Sequence, residues 1–148
     1  MKFGSEQIWI AKTLGLLLAQ TLREEYGDIE FHAVTYVPIS KARIRERGFN
    51  QSQVLAQAIC KQLGYKKPVA LLEKPKDIPR QSSLKLRERK TNVIGAFSPA
   101  NAHLAVDKTI LLIDDVQTTG ATLNECAKVL RKAGAAAVYC AVVASVQI

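Results

Sequence analysis

Cysteine, histidine and aromatic residues are scarce in this 148-residue chain, and each scarcity removes a class of function. The 3 cysteines, Cys60, Cys126 and Cys140, are odd in number, far apart and set in apolar patterns. They make neither a disulfide framework nor a CxxC or Cys/His metal cluster, and read as buried thiols of a reducing, cytoplasmic compartment. The 2 histidines, His32 and His103, stand alone, so the chain offers no Ser/His or Cys/His nucleophile pairing. Aromatics are 6% of the chain, and the basic region holds only Phe49 and Tyr65, a poor platform for stacking bases. Neither the dinucleotide motif GxGxxG nor a Walker loop with Lys ahead of Ser/Thr occurs. The apolar stretch from Ile8 to Leu18 is interrupted by Lys12, Thr13 and Gly15 and is too short to span a bilayer, so no membrane insertion is expected.

Acidic residues are what the middle third lacks. From Lys41 to Lys90 there are 14 Lys/Arg against 4 Asp/Glu, while the remainder holds 7 against 9. Such segregation of a formal net charge of +8 points to an anionic partner, whether a polyphosphorylated ligand or single-stranded nucleic acid. Otherwise the composition, 48% hydrophobic and 23% charged, is that of a soluble globular protein, and the length predicts one domain over residues 1–148.

Ile8, Ala11, Leu14, Leu18 and Leu22 fall at three- and four-residue steps, predicting an amphipathic helix from an N-cap at Ser5 to Tyr26, stopped by Gly27. Ala33 to Val37 reads as a strand that Pro38 ends. From Ile39 to Arg47 the pattern reads as an extended loop, in which Lys41, Arg43, Arg45 and Arg47 share one face. Asn50 then caps a helix running through Val54, Leu55, Ala58, Ile59 and Leu63 to Gly64. Val69 to Leu72 is the next strand, and Ser98 to Lys108 a connection. Ile110 to Ile113 is a strand, followed by a helix burying Leu123, Ala127, Leu130 and Val129 and closed by Gly134. A last strand spans Ala135 to Val143. This alternation predicts an α/β fold with a mainly parallel sheet of about five strands flanked by helices.

The segment ILLIDDVQTTGATL, Ile110 to Leu123, is where chemistry concentrates. Four apolar residues without alternation suit a strand buried on both faces, whose carboxyl end is where ligands sit in such sheets. That end carries Asp114 and Asp115, followed by Thr118, Thr119, Gly120, Ala121 and Thr122 at a helix start. Hydroxyls, backbone N–H groups and a residue without Cβ suit a phosphate, and the acids suit sugar hydroxyls or Mg²⁺. The same residues also fit a plain helix N-cap with favourable charge near the dipole.

The segment resembles the signature of type I phosphoribosyltransferases, and RERGFNQS, Arg45 to Ser52, is similar to the RGFNQ motif of the ComF family of competence proteins within them. Gln81, Leu84, Arg89 and Asn92, followed by VIGAF from Val93 to Phe97, match a second ComF pattern. The resemblance implies a phosphoribosyltransferase-like domain that binds phosphoribosyl pyrophosphate (PRPP) with Mg²⁺ and transfers its phosphoribosyl group to an acceptor, in a setting of DNA uptake. It implies that Asp114 and Asp115 hold the ribose hydroxyls, directly or through the metal, and that Val116, Gln117, Thr118, Thr119, Gly120, Ala121 and Thr122 cradle the 5′-phosphate. Ser40, Lys41, Arg45 and Arg47 fall where the family binds pyrophosphate, although its usual small, Gly-rich loop is replaced here by arginines. The stretch from Glu73 to Asn92, with two prolines and seven Lys/Arg, matches the long flexible loop that closes over PRPP, so Arg87 and Arg89 are expected to act on the departing pyrophosphate.

Thr118 stands where oxopurine enzymes of the superfamily have an Asp that handles the base proton, which a Thr cannot do near neutral pH. A hypoxanthine or guanine acceptor is therefore not expected, nor is a full hood over the base. ComF relatives often carry an upstream Cys-rich zinc module, of which this chain has none, so no zinc is expected. The other reading is a non-catalytic single-stranded DNA-binding competence protein, gripping phosphates with Lys41, Arg43, Arg45, Arg47, Arg80, Lys85, Arg87, Arg89 and Lys90. A homodimer and contacts to other competence proteins complete the partners this resemblance brings in.

Overall fold

The computed structural model describes residues 4–75, 93–117 and 119–146. Thr118 and the greater part of the expected basic loop, with Arg80, Lys85, Arg87, Arg89 and Lys90, lie outside the described residues. The elements are α1 (Ser5–Tyr26), β1 (Ala33–Tyr36), α2 (Lys41–Arg47), α3 (Gln51–Leu63), β2 (Leu72–Glu73), β3 (Ser98–Pro99), a 3₁₀ turn (Ala102–Leu104), β4 (Thr109–Gln117), α4 (Ala121–Lys132) and β5 (Ala137–Ser145). Among the described residues no helix is long and apolar enough to cross a membrane.

β4 is the centre of a parallel three-stranded sheet ordered β1-β4-β5. Its apolar run works on both faces, as an unbroken hydrophobic strand must. Leu111 and Ile113 join Val34, Leu55, Ile59 and Ala141 under α1 and α3. Ile110 and Leu112 join Leu71, Phe97, Cys126 and Leu130 on the α4 side. Ile110 to Ile113 are all 0% exposed, so the strand that carries the acids is deeply anchored in the fold.

Gly15 lets α1 lie directly on α3. A Cβ there would stand 2.6 Å from Ala58 Cβ and 3.1 Å from the Leu55 carbonyl oxygen, closer than the two helices can tolerate without shifting. Behind them Tyr26, Phe31 and Tyr139 pack edge to face, with centroids 5.4 to 6.3 Å apart.

Several local readings of the sequence need correction. The helix start at α1 is capped by Gly4, and Ser5 is already inside the helix. The row of alternating cations is helical: Ser40 Oγ accepts the Arg43 N–H at 3.2 Å, and Gly48, at φ 91°, closes the turn onto the Ile44 carbonyl. In a helix, positions four apart share a side, so Lys41 pairs with Arg45 and Arg43 with Arg47 on separate sides of α2. The expected strand at Val69 to Leu72 begins at Leu72 instead. Val69 N–H still bonds the Val34 carbonyl at 2.8 Å, but the Leu71 N–H goes to the Thr35 hydroxyl, at 3.4 Å, and the chain leaves β1. β2 pairs antiparallel with β3, so five strands are described but they divide into a three-stranded parallel sheet and a two-stranded pair. Along α4 the buried positions are Leu123, Cys126 and Leu130, with Ala127 and Val129 half-buried.

Candidate functional site

Parallel pairing puts the carboxyl ends of β1, β4 and β5 on one edge. β1 stops pairing at Tyr36 opposite Ile113, yet β4 continues beside β5 as far as Gln117 opposite Ser145. Asp114 and Asp115 therefore stand within a strand rather than at its tip, where, among the described residues, β4 has β5 as its one strand neighbour. Val116 and Gln117, which lie past the strand expected at Ile110 to Ile113, are strand residues for the same reason: β5 runs alongside to Ser145, and the Val146 N–H bonds the Gln117 carbonyl at 2.9 Å.

Asp114 is buried, at 8% exposure, while Asp115 is half-buried. Ser52 Oγ donates to Asp114 Oδ1 at 2.9 Å from the first turn of α3, and the Asp115 N–H donates to the same oxygen at 2.9 Å. Asp115 Oδ1 in turn accepts the Val116 N–H at 2.8 Å. Burial pushes the Asp114 carboxyl up to about 7, and the adjacent Asp115 charge adds to this, against the pull of the hydrogen bonds from the Asp115 N–H and the Ser52 hydroxyl. Desolvation likewise raises the thiols of Cys126, which is buried as expected, and of Cys140, which is only half-buried.

Of the residues expected to cradle a 5′-phosphate, all but Thr118, which lies outside the described residues, are brought to one place. Asp114, Val116, Gln117, Thr119, Gly120, Ala121 and Thr122 border one small cavity of about 50 Å³. Gly120, at φ 76°, turns the chain into α4 in the left-handed region that favours glycine. It supplies no side-chain cap to the helix, and Thr119 Oγ accepts the Ala121 N–H at 3.2 Å. On the other side of the acids, Asp115 and Val116 border a hollow of about 290 Å³ with Ile10, Leu14, Gln7 and Gln51. Its described lining contains no Lys or Arg.

The pyrophosphate candidates reach this edge through a closed excursion. The chain leaves β1 at Val37, forms α2, and returns with Asn50 Nδ2 donating to the Val37 carbonyl at 3.0 Å. Asn50 Oδ1 also takes the Ser52 N–H at 3.0 Å, capping α3. Thus α2 is tied at both ends to the carboxyl edge, with Lys41 and Arg45 exposed and Arg43 and Arg47 half-buried. Ser40 is 3% exposed and serves as the α2 cap. Asn50 was legible as the cap of α3 and as part of the RGFNQ match, whereas Ser52, one position past that motif, carried no signal as a site residue.

Among the described residues no group of three or more His, Cys, Asp and Glu is placed to hold a metal ion. Two adjacent carboxylates nonetheless fit Mg²⁺, which takes one or two carboxylates together with substrate oxygens and keeps its own waters.

Residues 49–147 match the phosphoribosyl transferase domain family. The chain is 34% identical over 137 residues to Competence protein F of Haemophilus influenzae, covering 86% of this chain and 58% of that protein. It is 38% identical over 119 residues to Competence protein ComFC of Bacillus subtilis, covering 80% and 46%. It thus spans about half the length of the curated relatives it matches. The fold is similar to that of the allosteric regulatory enzyme of purine biosynthesis, with a TM-score of 0.60 at 22% identity, covering 90% of this chain and 25% of that one. Taken with the two acids at the end of the central parallel strand, these similarities place the chain in the phosphoribosyl transferase domain family, on its ComF side.

Proposed function

We propose that the protein binds PRPP with Mg²⁺ at the carboxyl edge of the sheet and transfers the phosphoribosyl group to an acceptor. The observation that carries this reading is the Asp114–Asp115 pair, one member buried, set beside a glycine-turned loop that opens onto the first turn of α4. A cavity of about 50 Å³ is small for a whole phosphosugar and suits phosphate oxygens. The ribose then lies outside it, with its hydroxyls at the two acids. Backbone N–H groups at the α4 start favour the 5′-phosphate through hydrogen bonds and the helix dipole.

In the transfer the bond between C1 and the pyrophosphate oxygen breaks as the acceptor forms its bond to C1. Pyrophosphate leaves with the electron pair, and the acceptor gives up its proton to solvent. Positive charge builds on the sugar and negative charge on the leaving group, so positioning and electrostatics do the chemistry without a nucleophilic side chain. Bound Mg²⁺ supplies charge neutralisation at the pyrophosphate. The exposed pair Lys41 and Arg45 on α2 reinforces it, and the basic residues between 76 and 90 are proposed to add to it.

The hollow beside Asp115 is the place for the acceptor. With a carboxylate and no cation in its described lining, it suits a small uncharged molecule better than a nucleic-acid phosphate. The competing reading, a DNA-binding protein that only retains the fold, is favoured by the basic middle third of the chain alone. A pyrophosphate-release assay with PRPP, Mg²⁺ and a panel of small heterocycles, with single-stranded DNA as one further acceptor, separates the two. Release that depends on a small acceptor supports transfer. Salt-sensitive DNA binding with no release under any condition would favour the second reading.

A further inference from the structure

Ser52 is held in place by capping contacts and is then used for something other than capping. Asn50 accepts the Ser52 N–H and clamps the start of α3 to the Val37 carbonyl, both at 3.0 Å. The Ser52 hydroxyl, unlike that of an ordinary first-turn serine, crosses 62 positions of sequence to reach Asp114 Oδ1 at 2.9 Å. Both residues are buried, at 4% and 8% exposure. The same oxygen takes the Asp115 N–H, so two donors converge on Oδ1 and hold the plane of the carboxyl group. A buried serine–aspartate pair is a poor way to stabilise a fold, because two apolar groups of the same shape would serve as well. What the pair does supply is a fixed direction for the second oxygen, Oδ2.

We infer that Ser52 is a positioning residue for sugar recognition: its hydroxyl orients the Asp114 carboxyl so that Oδ2 meets a ribose hydroxyl. This rests on the PRPP-site reading above. Ser52 itself touches no substrate. It acts from α3, the helix that follows the basic excursion, and so couples the α2 side of the edge to the acids on β4.

The test is calorimetric titration of the wild type, Ser52→Ala and Ser52→Cys with ribose 5-phosphate, its 2-deoxy and 3-deoxy analogues, and inorganic phosphate. Alanine removes the donor, and cysteine keeps the shape with a weak one. The wild type is expected to prefer ribose 5-phosphate over at least one deoxy analogue by roughly tenfold, the value of one hydrogen bond to a charged acceptor. Both variants should lose most of that preference while binding inorganic phosphate as the wild type does, with melting curves confirming that they are folded. A wild-type ratio retained in both variants would overturn the inference. So would a uniform loss on all four ligands, which is the mark of a merely structural residue. A wild type that makes no distinction at either hydroxyl would sink the site reading itself, and the role of Ser52 with it.

Discussion

Asp114→Asn is expected to make the protein markedly more stable at pH 8 and to leave its stability nearly unchanged near pH 4. In the folded chain, burial and the Asp115 charge hold this carboxyl at about 7, against an ordinary value of 3.8. Between those values the native state keeps a proton that the unfolded chain has released, so this group's contribution to stability falls as pH rises through the window. Above it the penalty of burying the ionised group is fully present. About three pKa units correspond to on the order of 4 kcal/mol, and a melting temperature higher by roughly 10 °C in a domain of this size. Thermal melts of the two proteins at pH 4, 6 and 8 measure it. A difference that does not grow with pH would show that Asp114 is not the buried acid described here. The gain in stability should come with loss of PRPP binding, since a buried acid kept at such a cost belongs to function rather than to the fold.

Gly120→Val should weaken PRPP binding by about 100-fold or more. A branched side chain at φ 76° is strained, and relief by a turn to negative φ swings away the N–H groups that begin α4. Each hydrogen bond to a charged phosphate oxygen is worth about 1.5–3 kcal/mol, so the loss of two accounts for the effect. Gly64→Val is the control. Gly64 has nearly the same backbone, φ 83°, caps the far end of α3, and would place a Cβ with nothing within 4 Å. It should lower stability to a similar degree and leave the affinity for PRPP unchanged. Equal affinities for the two variants would remove the loop from the site.

Some of this architecture was legible in the residues and some was not, for definable reasons. The course of α1 and α3 follows from unbroken three- and four-residue spacing, and the two acids follow from the abrupt end of Ile110 to Ile113. The basic excursion misleads because cations at every second position imitate the period of a strand. Ser40 and Gly48, the cap and the stop of α2, outweigh that period. The length of β4 past Ile113 depends on pairing with β5, more than 20 residues away, which no local pattern reports. The same holds for β2 with β3, and for Ser52, whose partner lies on another strand and whose neighbours suggest only a helix start. At this edge, local signals placed the groups, and long-range contacts decided how each one points.

The most direct measurement is calorimetric titration of PRPP with Mg²⁺ into the wild type and into Asp114→Asn/Asp115→Asn. The wild type should bind one PRPP per chain, and the double variant, although folded and at least as stable at pH 8, should show no detectable binding. Unchanged PRPP affinity in the double variant would contradict the assignment of the site to the carboxyl end of β4.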